Sequence, residues 1–293
     1  MNGIIIWAIE CQQHFFTFVI KINPMPDPII SPSNPRIRNI LNLQAHSRER
    51  RKQNIFVIEG YREISRALES GIVIKELYVC SEIDRQGKGK ELSGKDSGIQ
   101  LFEVGKNAFE RIAYREGSDG LIALAIPRKL GLNELILNEN PLVLILESVE
   151  KPGNLGAIMR TADAAGIDAV IVCDPLTDIY NPNAIRSGLG CTFSCQVVSC
   201  TTAEAIEWLK INKIRIFSAA LSENAIIYYQ VDFRGPAAII MGTEATGLSR
   251  DWLDNSDAQV IIPMKGIADS MNVSTSAAVL VFEAVRQRVR GRG

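Results

Sequence analysis

Histidine is nearly absent from this chain, with only His14 and His46 among 293 residues. Both lie far in sequence from most of the six cysteines, Cys11, Cys80, Cys173, Cys191, Cys195 and Cys200, and no two cysteines form a CxxC pair. The spacings that build structural zinc sites are therefore missing, and no metal is expected. Cysteines set in apolar stretches such as VIVC and TFSCQVVSC behave as small buried hydrophobes, so reduced thiols and a cytoplasmic chain are expected. A membrane-spanning run is also wanting. The apolar stretch Ile4 to Ile22 is interrupted by Glu10, Gln12, Gln13, His14 and Lys21, and it is too short and broken to cross a bilayer comfortably. It has neither the basic start nor the small-residue cleavage site of a signal peptide. Residues 1–33 are read as an extension with little to say about function. An excess of either charge is lacking too: 32 Lys and Arg face 33 Asp and Glu, for a net charge of −1. The molecule is no polycation, and a nucleic-acid partner would have to be held by local basic patches. No internal repeat or low-complexity tract competes with a globular reading.

What is present suits two α/β units. Residues 34–126 read as the smaller, with a polar helix near Pro35 to Ser47 and a strand over Ile55 to Ile58. A helix over Glu59 to Ser70, stopped at Gly71, puts Ile64, Ala67 and Leu68 on one face. Strands are expected at Glu76 to Cys80, Ile99 to Val104 and Leu121 to Ile126, with a helix at Lys106 to Ala113 and a Gly-, Lys- and Ser-rich loop over Asp84 to Gly98. Residues 127–141 read as a linker. From 142 to 293 strand and helix alternate: LVLILE, a helix over Leu155 to Ala165, DAVIVC, a helical piece near Asn183 to Leu189, FSCQVV, a helix over Ala203 to Ile211, IRIFSAAL, AAIIMG, a short helix near Leu248 to Leu253, AQVIIP and a long helix from Asn272. Short apolar strands alternating with helices indicate a parallel sheet covered on both faces.

Ligands of such sheets gather at the carboxyl ends of the strands, and three ends carry unusual residues. In ESVEKPGNLGAIMR, Asn154 is placed to cap a helix, while Arg160 sets a permanent cation in a small and apolar stretch. That cation needs a carboxylate within the fold or a bound phosphate. In MGTEATGL, Gly242 and Gly247 permit tight turns and close approach of backbone to a ligand, and Glu244 offers a carboxylate. In IIPMKGIADSMNVSTSAAV, Ser270 and Asn272 are good helix caps, and the small residues that follow suit close packing against another helix or a partner subunit.

Together, PGNLGAIMRTADAAG, IIMGTEATGL and IIPMKGIADSMNVS resemble the three motifs of the SpoU/TrmH family of SPOUT RNA methyltransferases. The segment NPRIRNILNLQAHSRERRKQNIFVIEGYREISRAL resembles that family's ribosomal-protein-like (L30e-like) substrate-binding domain, so the likeness spans residues 34 to 290. It implies a C-terminal α/β parallel-sheet domain with its end threaded through a trefoil knot, a smaller N-terminal α/β domain, and a homodimer. The implied reaction is S-adenosylmethionine-dependent methylation of a ribose 2′-hydroxyl, most naturally in ribosomal RNA. The implied cofactor positions are Ala219, Gly242, Ile262 and Met271, and Asn154, Arg160, Glu244, Ser270 and Asn272 match active-site positions. Thr243, Met271 and Gly188 depart from the residues common in the family, which touches substrate detail more than chemistry.

On this reading Arg160 anchors a phosphate and stabilises the developing alkoxide, with Asn154 and Glu244 orienting it and the nucleotide. Arg36, Arg38, Arg48, Arg50, Arg51 and Lys52 form the RNA-binding segment, and Arg286, Arg288, Arg290 and Arg292 either extend that patch or keep the tail soluble. A transfer-RNA methyltransferase and a non-catalytic RNA-binding protein of the same fold are the alternatives. A nucleotide-binding enzyme of another kind would carry GxGxxG after the first strand of the sheet, and KPGNLG does not supply it.

Overall fold

A computed structural model describes residues 4–11, 14–21, 27–114 and 117–290. Within the extension, β1 (Ile4–Cys11) and β2 (His14–Lys21) pair antiparallel, apart from the other sheets. The N-terminal unit runs α1 (Pro35–Ala45), α2 (Ser47–Gln53), β3 (Phe56–Glu59), α3 (Tyr61–Glu69), β4 (Ile74–Val79), α4 (Lys88–Lys95), β5 (Gln100–Glu103), α5 (Lys106–Ile112) and β6 (Leu121–Ala125). Its mixed sheet has the order β3-β6-β4-β5. Helix α1 opens with Asn34 accepting a hydrogen bond from the Arg36 amide and Pro35 in the first turn, a strong start signal.

The helix expected near Pro35 to Ser47 breaks at His46, and a second helix, α2, carries the basic run until Asn54 ends it in a left-handed conformation. The loop expected over Asp84 to Gly98 contains α4 instead. The Asp84 carboxylate accepts the amides of Lys88 (3.0 Å) and Gly89 (2.8 Å) and so holds the first turn. Leu92 is buried, and Gly89 lies so close to Val79 that a Cβ would come within 2.5 Å of its side chain. The Asp84 carboxylate and the buried Leu92 thus help order a segment whose composition reads as loop.

The C-terminal unit follows with β7 (Leu142–Glu147), α6 (Pro152–Ala165), β8 (Ala169–Cys173), α7 (Pro182–Ser187), α8 (Cys191–Ser194), β9 (Val197–Cys200), α9 (Thr202–Ile211), β10 (Arg215–Ala219), β11 (Ile226–Ile227), β12 (Ala237–Met241), α10 (Arg250–Asp254), β13 (Ala258–Ile261) and α11 (Val273–Arg290). Seven strands in the order β11-β13-β10-β12-β7-β8-β9 form one sheet, and every neighbouring pair is parallel. Alternate residues of β7 feed opposite layers. Leu142, Leu144 and Leu146 join α6 and α11, whereas Val143 and Ile145 join α9 and Trp252. This two-faced burial is what makes its strands continuous apolar runs. Phe193 and Ser194 of the expected FSCQVV strand are helical, and the strand begins at Val197. No helix among the described residues is long and apolar enough to cross a membrane.

The two units share a core. Ile185 and Phe193, from α7 and α8, are buried in the cluster that contains Phe56, Ile58 and Ile64 of the N-terminal unit. The Phe56 ring lies 4.4 Å from that of Tyr180, centroid to centroid. Arg66 donates to the Leu189 carbonyl at 2.7 Å. An interface of this apolar character restrains relative motion of the units.

Candidate functional site

A cavity of about 410 Å³ opens at the carboxyl ends of β10, β12 and β13. Ala219, Gly242, Ile262 and Met271, the four expected cofactor positions, all line it, together with Glu244 and Ser270. The turn after β12 closes through reciprocal backbone bonds, Thr243 N to Gly247 O at 3.1 Å and Gly247 N to Thr243 O at 3.2 Å. A Cβ on Gly242 would sit 2.4 Å from the Gly247 carbonyl carbon and oxygen and 2.7 Å from the Leu248 amide. Only glycine lets the two limbs of this turn approach so closely. The buried Glu147 carboxylate, at the end of β7, accepts the Ser249 amide at 2.8 Å and fixes the turn from behind.

Beside the cavity three side chains from distant segments converge. Asn272 Nδ2 donates to Glu244 Oε1 (2.7 Å) and to Asn154 Oδ1 (3.1 Å), and Asn154 Nδ2 donates to Glu244 Oε1 (3.1 Å). Lys151 Nζ closes the group with an ion pair to the other Glu244 oxygen. That lysine hydrogen bond holds the Glu244 carboxyl below the usual carboxylate range, assisted by Asn154, and in return raises the lysine. The opposite end of Asn272 accepts from the amide (3.0 Å) and hydroxyl (2.6 Å) of Ser274, so one side chain both caps α11 and completes the polar group. Asn154, expected as a cap, sits inside the first turn of α6, which begins at Pro152 with Lys151 as its capping position. Strands β7 and β8 both leave the sheet here through non-glycine residues with positive φ, Ser148 at 51° and Asp174 at 45°, the kind of strain that gathers at functional sites.

Arg160 stands apart. It is exposed, and no carboxylate among the described residues pairs with it. Six residues beyond Asn154 it lies about 9 Å further along α6 and about 240° around it, and the side-chain partners of Asn154 and Glu244 are each other, Asn272 and Lys151. Ser270 lines the cavity without capping α11, a role that Asn272 takes. Lys151 and Glu147 were not anticipated as contributors. Glu147 had one visible signal, a carboxylate closing an apolar strand; Lys151 had none beyond its place in the motif.

The basic segment of the N-terminal unit divides. Arg38, Arg48, Arg51 and Lys52 are exposed. Arg36 is exposed as well, but it pairs with Glu76 at 2.9 Å and lies 4.1 Å over the Phe102 ring. Arg50, expected among the RNA-binding residues, is instead buried, and its guanidinium donates to Asp178 at 2.6 Å and to the Leu43 carbonyl at 2.6 Å. Arg288 is likewise structural, donating to the carbonyls of Phe233, Asn140, Pro141 and Gly235. The side chain of Arg290, and Arg292, lie outside the described residues.

Residues 141–282 match the SpoU rRNA Methylase family, and residues 34–123 match the MRM3-like substrate binding domain. The chain is 31% identical over 254 residues to the 23S rRNA (guanosine(2553)-2′-O)-methyltransferase of Bacillus subtilis, covering 87% of this chain and 97% of that one. It belongs to the SpoU rRNA methylase family. A solved RNA 2′-O ribose methyltransferase shares 37% identity at a TM-score of 0.77 over 89% of this chain and 99% of its own. The AviRb SpoU methyltransferase of Streptomyces viridochromogenes, solved in complex with AdoMet, shares 26% identity at a TM-score of 0.80 over 87% of this chain and 98% of its own.

Proposed function

We propose that this protein methylates a ribose 2′-hydroxyl of ribosomal RNA with S-adenosylmethionine as donor. The observation that carries this reading is the Asn154–Glu244–Asn272 group set beside a glycine-floored cavity in a SpoU-family chain. The cavity suits the cofactor: its volume is in the range of small-molecule sites, and the bare Cα of Gly242 lets the turn that lines it close tightly on Gly247. Ala219, Gly242, Ile262 and Met271 would hold the cofactor, whose sulfonium supplies an electrophilic methyl group.

The protein then has to align the ribose oxygen and help its proton leave. Glu244, fixed as an anion by Lys151, holds the two asparagine amides in set orientations, a preorganised polar wall for the ribose and base. Arg160 anchors a phosphate and stabilises charge growing on the oxygen. An arginine with a pKa above about 12 is a poor base, so the proton goes to a substrate phosphate oxygen or to water. Because the helix geometry carries Arg160 away from Asn154 of its own chain, the site is completed in a homodimer, in which Arg160 serves the partner's cavity. Exposed apolar residues on α11, Phe282 at 46% and Val289 at 69%, support such a contact. Knotted threading belongs to the same reading, supported by β13 lying between β10 and β11 while α11 returns to pack on α6. Cytoplasmic residence, with the buried thiols reduced, completes it.

Mapping 2′-O-methylation across total RNA from cells with and without the gene tests the reading. One ribosomal-RNA position should lose its methyl group in the deletion. An unchanged map would refute it.

A further inference from the structure

The seven-residue helix α2 has two functional faces. Arg48, Arg51 and Lys52 point to solvent. Arg50, on the opposite side, is 3% exposed and forms an ion pair with Asp178, itself 15% exposed. These two charges belong to different units, and Asp178 sits in the segment between β8 and α7. That segment is tied to the reaction site. Thr177, the neighbour of Asp178, donates its amide to the Val149 carbonyl (3.2 Å) and its hydroxyl to the Glu150 carbonyl (2.7 Å). The next residue is Lys151, whose side chain holds Glu244 and whose carbonyl accepts the Asn154 amide at 3.1 Å. Asp178 is also braced from within, its second oxygen accepting the Tyr180 amide at 3.0 Å.

We propose that Arg50–Asp178 is a positioning pair, which sets the register between RNA held on α2 and the ribose presented beside Glu244. The inference rests on the reading that the exposed cations of α2 hold RNA. A buried pair with added backbone hydrogen bonds tolerates little variation in geometry, and removing one partner leaves the other charge without compensation. Phosphates gripped by Arg48, Arg51 and Lys52 are thereby linked through one turn of helix, one ion pair and two hydrogen bonds to the segment that bears Lys151. The pair does not touch substrate. It acts by fixing which ribose falls within reach.

The test compares wild type with Asp178→Asn, which keeps the shape of the acceptor and removes its charge, and with Arg50→Ala. Unmodified ribosomal RNA from the deletion strain is the substrate. Affinity for S-adenosylmethionine and for RNA should stay within about twofold of wild type, kcat should fall at least tenfold, and methylation should spread to riboses adjacent to the wild-type target. If Arg50→Ala fails to fold, Asp178→Asn carries the test alone. Unchanged kcat with methylation confined to the target overturns the proposal, as does a parallel loss of cofactor affinity, which would make the pair a prop for the cavity. Failure of the underlying RNA reading shows separately: replacing Arg48, Arg51 and Lys52 with Ala would then leave RNA affinity unchanged.

Discussion

Replacing Gly242 with Ala isolates the contribution of the cavity floor. Its new Cβ would stand 2.4 Å from the carbonyl carbon and oxygen of Gly247, about 1 Å inside ordinary van der Waals separation. The obstacle is backbone, so no side chain can swing aside. The turn has to open, and opening it loosens the reciprocal bonds between Thr243 and Gly247. At a net ~0.5–1.5 kcal/mol for each hydrogen bond, losing both costs about 1–3 kcal/mol. Felt at the cavity, that weakens cofactor binding roughly five- to 150-fold. Isothermal titration with S-adenosylmethionine measures it, with Gly94→Ala as the control. Gly94 lies in α4 with nothing within 4 Å of a Cβ, so the control should bind normally and gain up to ~1 kcal/mol of stability from helix propensity. Binding by Gly242→Ala within twofold of wild type would refute the claim that this turn shapes the cofactor site.

Arg160→Ala should lower methyl transfer by a factor of about 100–1,000, on the scale of a lost oxyanion donor, while cofactor affinity measured by titration stays within twofold; near-normal turnover would remove Arg160 from the mechanism. Because the folded pKa of Glu244 lies below its ordinary value, its stabilising contribution is present above the ordinary carboxylate pKa and is lost as pH falls through the folded one. Turnover should therefore show no acid limb from Glu244 above about pH 5, and Glu244→Gln should depress kcat throughout that range; a limb near neutrality that disappears in the variant contradicts the ion pair with Lys151. Each of Arg48, Arg51 and Lys52 changed to Ala should flatten the dependence of log RNA affinity on log salt by about 0.7–0.9, and equal slopes for the triple variant and wild type would reduce α2 to a solvated face. Sedimentation at micromolar concentration should find a dimer, with Phe282→Glu shifting it toward monomer; a wild-type monomer would send Arg160 back to its own chain.

The strands of the large sheet were legible because both their faces are buried, so each is an apolar run bounded by turn residues, as in Leu142–Glu147 and Ala237–Met241. The residue types were visible in the sequence, but only the fold brings Asn154 in the first turn of α6, Glu244 in the turn after β12 and Asn272 at the start of α11 into one hydrogen-bonded group. Orientation was harder to read. Nothing in the run of cations 48–52 reveals that Arg50 points inward; that follows from the break at His46, which resets the helical phase. Cys191–Ser194 is apolar enough to pass for strand, yet it forms a helical turn that carries Phe193 into the neighbouring unit. Lys151 acquires its role from a carboxylate 93 residues away, a separation no local pattern records.

The cavity draws its lining from Ala219 to Leu280, and the Asn272 side chain that finishes the polar group also starts the final helix. During synthesis the unit bearing the exposed cations of α2 leaves the ribosome, complete in its own sheet, well before Glu244 and Asn272 exist. Under the proposed function, a chain interrupted between β6 and Asn272 is expected to hold RNA without being able to modify it. Such a fragment would occupy its target and block the full-length protein, so a nonsense mutation of this kind in the last quarter of the gene should be harmful to a cell that also carries an intact copy.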